Sequence, residues 1–258
     1  MYEASKDFAS TIKAQKVWDD YYISHGEGDA GRLYPNEPLV RIISTLRKGI
    51  SFDNKKYFDD AGLENQNRLG MSGLSLEIGF GHPSEMLMLR DKGYKCKGLE
   101  VSKEALERAQ KRLDRLGVRE EEISLDLWER PGILPYKDKE FDFIYALQCI
   151  YYNNDFELIV SEIYRCLKPG GYFAFSFFSD RHDYIKYIDL VESRNLYNIV
   201  KWSANHPNPR LVGAPLAQPK SKECLLKLFS QFNEKRIFTE ESNFCPTFNS
   251  WDYIYGQK

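Results

Sequence analysis

The sequence lacks an excess of charge of either sign. Its 258 residues carry 36 Lys and Arg against 38 Asp and Glu, a net charge of −2. A protein that binds nucleic acid usually presents a basic patch that neutralises phosphates. The balance therefore makes nucleic acid an unfavoured partner and favours a small or weakly charged substrate.

Long apolar runs are also missing. No stretch approaches the roughly 18 to 20 apolar residues that are needed to cross a bilayer. The first ten residues, MYEASKDFAS, do not show the charged-then-apolar order of a signal peptide. We therefore expect a cytoplasmic protein with no membrane partner.

The cysteines do not form a recognisable framework. There are five, an odd number, and no two of them make a C-x-x-C pair. We expect reduced packing residues, with no disulfide and no metal site.

What the sequence does contain is one βαβ unit over residues 73–110. An apolar run ends in Glu77-Ile78-Gly79-Phe80-Gly81, and a helix is predicted directly after it, because Pro83 is tolerated in a first helical turn. Residues 94–99 form the second predicted strand, which Glu100 follows. Ser102 then caps a second helix.

This arrangement predicts a ligand that contains adenosine. Glycines at a strand-to-helix turn let the backbone approach a ligand, and a carboxylate that ends the next strand accepts hydrogen bonds from ribose hydroxyls. The spacing of Gly81 and Glu100 also fits a nicotinamide dinucleotide. The dinucleotide fingerprint, however, needs a third glycine where Ser84 stands, and Glu77 would repel a pyrophosphate but suit an amine.

The pattern resembles the class I S-adenosylmethionine-dependent methyltransferases of the type 11/25 kind. Three later segments extend the resemblance: Asp126 in ISLDL, residues 134–145 (LPYKDKEFDFIY), and residues 162–171 (EIYRCLKPGG). The resemblance implies an α/β fold with a Rossmann-like, seven-stranded sheet. That sheet is mostly parallel with an antiparallel last strand, and helices cover both faces.

One position departs from the family, because Pro83 stands where its third glycine is usual. Thiopurine-type methyltransferases also lack that glycine. Residues 17–22 (VWDDYY) and 34–37 (YPNE) resemble their N-terminal segment. That likeness implies that Trp18 lies on a lid over the cofactor.

The resemblance implies S-adenosylmethionine as cofactor and S-adenosylhomocysteine as product. The implied contacts are Gly79, Phe80 and Gly81 for the methionine part, Glu77 for its ammonium, Glu100 for the ribose, Val101 and Leu127 for the adenine faces, Asp126 for the adenine amine and Leu147 beneath the sulfonium. For Val101, Leu127 and Leu147, core packing is the alternative interpretation.

We expect a single methyltransferase domain over residues 1–258. Its predicted parts are a helical lid and insertion (1–70), a cofactor-binding core (71–179), a substrate cap (180–219), and a helix with a strand pair (220–258). Within the first part, residues 49–70 are polar and lack periodicity, which predicts a surface insertion. The cap combines aromatic residues and histidines after the fifth strand, at the end of the sheet where ligands bind.

The catalytic residues cannot be assigned from the sequence. If the acceptor needs a general base, the candidates are His25, His182, His206, Tyr151 and Tyr152. The leading hypothesis is methyl transfer by in-line displacement to a small molecule. The alternatives are a protein or RNA methyltransferase and an inactive cofactor-binding scaffold.

Overall fold

The computed structural model describes residues 15–23, 35–47, 73–129, 132–153, 155–209, 211–242 and 248–258. The predicted insertion over residues 49–70, and His25, lie outside these residues. So does most of the helical lid and insertion that was predicted over residues 1–70. No helix in the described residues is long and apolar enough to cross a membrane.

Seven strands form the main sheet. They are β1 (Gly73–Ile78), β2 (Tyr94–Glu100), β3 (Ile123–Leu127), β4 (Phe141–Ala146), β5 (Leu167–Phe178) and, after three strands described below, β9 (Glu234–Ser242) and β10 (Asn249–Gln257). Their order is β3-β2-β1-β4-β5-β10-β9. The first five pair in parallel, and β10 runs antiparallel to β5 and β9. This confirms the predicted fold class.

The strand order reverses between β1 and β4. From β1 the chain moves outward to β2 and β3, then returns to place β4 on the other side of β1. In open α/β sheets, ligands bind in the crevice outside the carboxyl ends of the strands at such a point. We therefore expect a ligand site at the turns that follow β1, β2 and β4.

Helices cover both faces of this sheet. They are α1 (residues 15–23), α2 (Glu37–Arg47), α3 (Ser84–Asp91), α4 (Lys103–Arg115), α5 (Phe156–Cys166) and α6 (Lys222–Leu228). Apolar side chains of α2, α3 and α4 pack into one buried cluster, and those of α5 and α6 into a second cluster. Ser102 caps α4 as predicted, because its hydroxyl accepts a hydrogen bond from the Ala105 N–H at 3.1 Å.

The junction of α5 and β5 differs from the prediction. The spacing of apolar residues predicts a helix over residues 155–168 that Gly170 and Gly171 end. In the structure α5 ends at Cys166, and Leu167 is already extended, with φ −73° and ψ 138°. Pro169 disfavours helical conformation at Lys168, the residue before it, so the helix cannot continue to the glycines. Gly170, with φ +77°, instead allows an irregularity at the start of β5.

A second sheet follows β5 and was not predicted. It contains β6 (Ile188–Ser193), β7 (Tyr197–Trp202) and β8 (Pro215–Pro219), paired antiparallel in that order. We call it the cap sheet, because it lies within the predicted substrate cap over residues 180–219. β7 and β8 pack into the same buried cluster as α5, whereas β6 is an exposed edge strand.

Candidate active site

A large cleft opens at the carboxyl ends of the strands. Its volume is about 800 Å³, and it runs from the carboxyl ends of the strands in the main sheet to the cap sheet. Ligand sites commonly enclose about 300–1,000 Å³. The cleft thus falls within the size range of known ligand sites. We call its two parts the turn end, formed by residues 79–81 with Glu100 and Val101, and the cap end, formed by His182, Tyr184, Trp202, His206 and Trp251.

The turn end depends on two glycines. Gly79 and Gly81 have φ of +67° and +50°, a region that residues with a side chain rarely adopt. A Cβ on Gly79 would lie 2.5 Å from the Cys149 sulfur, and one on Gly81 would overlap the Tyr22 hydroxyl. Both positions therefore need glycine, because a side chain at either would meet Cys149 or Tyr22.

Glu100 closes the turn end from the neighbouring strand. One carboxylate oxygen accepts a hydrogen bond from the Gly81 N–H at 2.9 Å, and the other accepts from the N–H groups of Val101 at 2.8 Å and Ser102 at 3.0 Å. Burial raises the pKa of Glu100, and the three N–H donors oppose that rise. Because a carboxylate has about four acceptor positions, Glu100 can still accept from a ligand hydroxyl.

Helix α1 lies along one side of the cleft. Trp18 lines the cleft and packs edge-on against Tyr152, with 5.1 Å between ring centroids. Asp19, the next residue, accepts hydrogen bonds from the Ser102 hydroxyl at 2.6 Å and the Glu104 N–H at 3.2 Å. The start of α4 thus fixes α1 in position, as a lid role for Trp18 requires.

The structure brings most of the predicted site residues together. Those that line the cleft are Trp18, Gly79, Phe80, Gly81, Glu100, Val101 and Leu147. Glu77, Asp126 and Leu127 are not among the lining residues. The Glu77 carboxylate is buried and accepts from the Tyr145 hydroxyl at 2.9 Å, and Asp126 accepts from the Tyr136 hydroxyl at 2.9 Å. The roles assigned to these three residues stay predictions.

Several lining residues were not singled out from the sequence, and three of them lie at strand ends. Trp128 follows β3, and Gln148 and Cys149 follow Leu147 after β4. Gln148 has φ +58°, which is uncommon for a residue with a side chain and typical of functional sites. Its N–H donates to the Ser176 hydroxyl at 2.7 Å, while the Cys149 thiol donates to the Ile78 carbonyl at 2.8 Å. The only sequence signal that these three residues belong to the site was their position directly after a predicted strand.

The cap end is aromatic and contains the histidines that the sequence suggested as bases. His182, His206, Tyr151 and Tyr152 all line the cleft. Burial lowers the pKa of His182 to about 4 and also lowers that of His206, and it raises the pKa of Tyr152. All three side chains are therefore uncharged near neutral pH.

Known proteins share this fold and its central sequence. A family model described as "Methyltransferase domain" matches residues 76–175. Among curated proteins, squalene methyltransferase 1 from Botryococcus braunii is 24% identical over 242 residues, which cover 79% of this chain and 62% of that protein. The chain thus spans less than two thirds of that relative's length.

Solved structures of methyltransferases share the fold of this chain. A SAM-dependent methyltransferase from Methanosarcina mazei matches with a TM-score of 0.54 and 18% identity, covering 73% of this chain and 93% of that chain. A second structure concerns the conversion of a disulfide bond into a thioacetal group during echinomycin biosynthesis. It matches with a TM-score of 0.59 and 15% identity, covering 95% and 92%.

Residues 76–175 thus match a methyltransferase domain, and the fold is that of the class I S-adenosylmethionine-dependent methyltransferases, as the sequence predicted. S-adenosylmethionine is the cofactor of that class. The turn end fits it, since it offers a glycine turn that tolerates no Cβ and a buried carboxylate at the end of β2. The finer likeness to thiopurine-type enzymes stays a prediction.

Proposed function

We propose that this protein transfers a methyl group from S-adenosylmethionine to a small, largely apolar molecule bound at the cap end. The observation that carries the proposal is continuity: one cleft joins the glycine turn and Glu100 to the aromatic wall of the cap. The cofactor supplies an electrophilic methyl group. The chain's own part is to align the acceptor with that group and to exclude water.

The turn end is proposed to hold the cofactor in the manner that the sequence resemblance implies. Gly79, Phe80 and Gly81 would contact the methionine part, Glu100 the ribose hydroxyls, and Val101 an adenine face. Trp18 would cover the bound cofactor from α1, and Leu147 would lie beneath the sulfonium. The positions of these side chains around one cleft support this assignment.

The character of the cleft wall supports an apolar acceptor. The described residues that line it include no Lys or Arg, and Glu100 and Asp155 are the acidic ones. Most other lining side chains are aromatic or aliphatic. The curated relative from Botryococcus braunii is named for squalene, a hydrocarbon. An apolar metabolite is therefore favoured over the protein or RNA substrate that the sequence left open.

Two measurements test the proposal. Calorimetry with S-adenosylhomocysteine should show micromolar binding, and NADH, as a matched adenosine-containing control, should not bind. A methyl-acceptor screen with apolar small molecules, peptides and RNA as separate pools should then give turnover in the first pool. Binding of S-adenosylhomocysteine without turnover in any pool would instead support the inactive-scaffold alternative. A cytoplasmic location stays a prediction of the sequence.

A further inference from the structure

One face of α1 forms a wall of the cleft beside the turn end. Trp18, Tyr21 and Tyr22 line the cleft together, because residues three and four apart lie on the same face of a helix. Trp18 packs against Tyr152, and the Tyr22 hydroxyl lies so close to Gly81 that a Cβ there would overlap it. α1 therefore lies alongside the space that the cofactor is proposed to occupy.

Asp19 attaches this helix to the start of α4. One oxygen of its carboxylate accepts hydrogen bonds from the Ser102 hydroxyl at 2.6 Å and from the Glu104 N–H at 3.2 Å. Both donors belong to the N-terminus of α4, where free N–H groups and the helix dipole favour a negative charge. Asp19 is half-buried, so solvent and salt screen this contact less than they screen an exposed one.

The direction of each hydrogen bond at Ser102 is fixed. Its hydroxyl accepts from the Ala105 N–H at 3.1 Å. An ionised carboxylate can only accept, so the one hydroxyl proton points to Asp19. The Ser102 N–H donates at 3.0 Å to Glu100, the carboxylate that is proposed to bind the ribose. Ser102, which is fully buried, thus binds two carboxylates at once, one on α1 and one in the turn end.

The turn end and α1 meet at Gly81. The Gly81 N–H donates to Glu100 at 2.9 Å, and the Tyr22 hydroxyl adjoins the same glycine from α1. A ligand that is held by Glu100 therefore also contacts the aromatic face of α1. Because α1 carries Asp19, moving the helix away from the ligand also breaks the hydrogen bonds of Asp19. The ligand and Asp19 thus stabilise the same position of α1.

We infer that Asp19 is a positioning residue for the cofactor: its hydrogen bonds to Ser102 and Glu104 hold α1 against the turn end, and this attachment slows release of the cofactor. The inference rests on the proposed function for the identity of the ligand. Asp19 is not among the described residues that line the cleft. It acts through Trp18 and Tyr22, the side chains of α1 that adjoin the ligand.

The first arm of the test needs no ligand and measures hydrogen exchange by mass spectrometry. Asp19→Ala removes the acceptor, and Asp20→Ala is the matched control, since Asp20 is the next residue on the same helix and is exposed. We expect faster exchange over residues 15–23 in Asp19→Ala alone. Helix α4 should change little, because Ser102 still caps it. Unchanged exchange in α1, or an equal change in both variants, would overturn the inference.

The second arm measures the kinetics of S-adenosylhomocysteine binding by surface plasmon resonance, which reports kon and koff separately. In Asp19→Ala we expect koff to rise about tenfold, as the loss of hydrogen bonds to a charged group would give. The value of kon should be equal or higher, because α1 moves aside more readily. Unchanged koff, or an affinity loss that lies in kon, would contradict the inference.

A conservative variant separates the hydrogen bonds from the mere presence of a side chain. Asp19→Asn keeps an acceptor oxygen without the charge, so its koff should lie between those of the unaltered protein and Asp19→Ala. It also serves in both arms if circular dichroism shows that Asp19→Ala is not folded. A koff in Asp19→Asn as high as in folded Asp19→Ala would show that the retained oxygen contributes nothing, against the inference.

The two arms distinguish this inference from the proposed function. Absence of S-adenosylhomocysteine binding by the unaltered, folded protein would refute the proposed function. The exchange arm would then still decide whether Asp19 holds α1 in place. Binding with an unchanged koff in Asp19→Ala would instead refute the role of Asp19 and leave the proposed function intact.

Discussion

The turn end of the cleft takes its shape from backbone, whereas the cap end takes its shape from side chains. At the turn end, two left-handed glycines and three N–H groups that converge on one carboxylate define the geometry. At the cap end, aromatic rings and two imidazoles do so. The cofactor part of such a site therefore tolerates little change, while the acceptor part can vary without disturbing the sheet.

The largest effect should come from breaking the turn end at Gly79. Gly79→Ala places a Cβ 2.5 Å from the Cys149 sulfur at a residue with φ +67°. We expect about a hundredfold loss of S-adenosylhomocysteine affinity by calorimetry, because strain of about 1–2 kcal/mol adds to the displaced backbone.

Gly117→Ala is the control for that change. Gly117 has nearly the same φ, +65°, but nothing lies within 4 Å of the added Cβ. Its substitution should cost stability and leave cofactor affinity intact. Equal losses of affinity in the two variants would show that strain alone, and not the position at the turn, is responsible.

Glu100 gives the next largest effect. Glu100→Ala should weaken S-adenosylhomocysteine binding at least tenfold, about 1.4 kcal/mol, because the ribose loses a charged acceptor. Glu104→Ala removes a carboxylate one turn further on, which pairs with Arg108 at 2.6 Å, and should be neutral for binding. Unchanged affinity in a folded Glu100→Ala protein would remove the ribose assignment.

A change at the cap end should weaken binding of an apolar ligand and leave cofactor affinity unchanged. Trp202→Leu removes an aromatic face that packs on His206 at 4.6 Å. A flat apolar probe for the cap end, 2-ethylnaphthalene, should therefore bind roughly fivefold more weakly, about 1 kcal/mol. Cofactor affinity should not change. A variant that lost both would show that the two ends are not independent, and circular dichroism would establish whether it had folded.

The smallest effect is a pH dependence of stability. The pKa of His182 is about 4 in the folded protein against 6.5 when exposed, so the unfolded chain binds the proton first. The contribution of His182 to the free energy of unfolding is fully present above pH 6.5 and is lost as the pH falls towards 4. Between pH 6.5 and 5.5 the loss should be about 1 kcal/mol.

Urea unfolding at these two pH values measures this loss. His182→Gln should show a smaller decrease than the unaltered protein, and the difference between the two isolates His182 from His206 and the carboxylates. Identical decreases would mean that His182 is not held neutral.

The sequence was sufficient for the turn end because its signals are local. Gly79, Gly81, Pro83 and Ser102 each fix a turn or a helix start within a few residues, and Glu100 ends a strand of recognisable pattern. The number of strands and their mostly parallel arrangement followed from the family resemblance. Local signals also misled where two competed. The glycines predicted the end of α5, whereas Pro169 disfavours helical conformation already at Lys168 and α5 ends at Cys166.

The cap sheet could not be predicted in the same way. Its β7 and β8 meet through a connection of a dozen residues, and what buries them is contact with α5 and the end of β5. Likewise, Gln148 and Cys149 become part of the site only because β4 lies beside β1. Such contacts depend on residues that are distant in sequence, so the spacing of residues within one strand or turn does not predict them.

The most direct test of the central claim is calorimetry of the unaltered protein with S-adenosylhomocysteine, beside NADH. The claim that Gly79, Gly81 and Glu100 form a site for the methionine and ribose of S-adenosylmethionine predicts micromolar binding of the first compound and none of the second. Binding of NADH alone, or no binding of S-adenosylhomocysteine to protein shown to be folded, would contradict it.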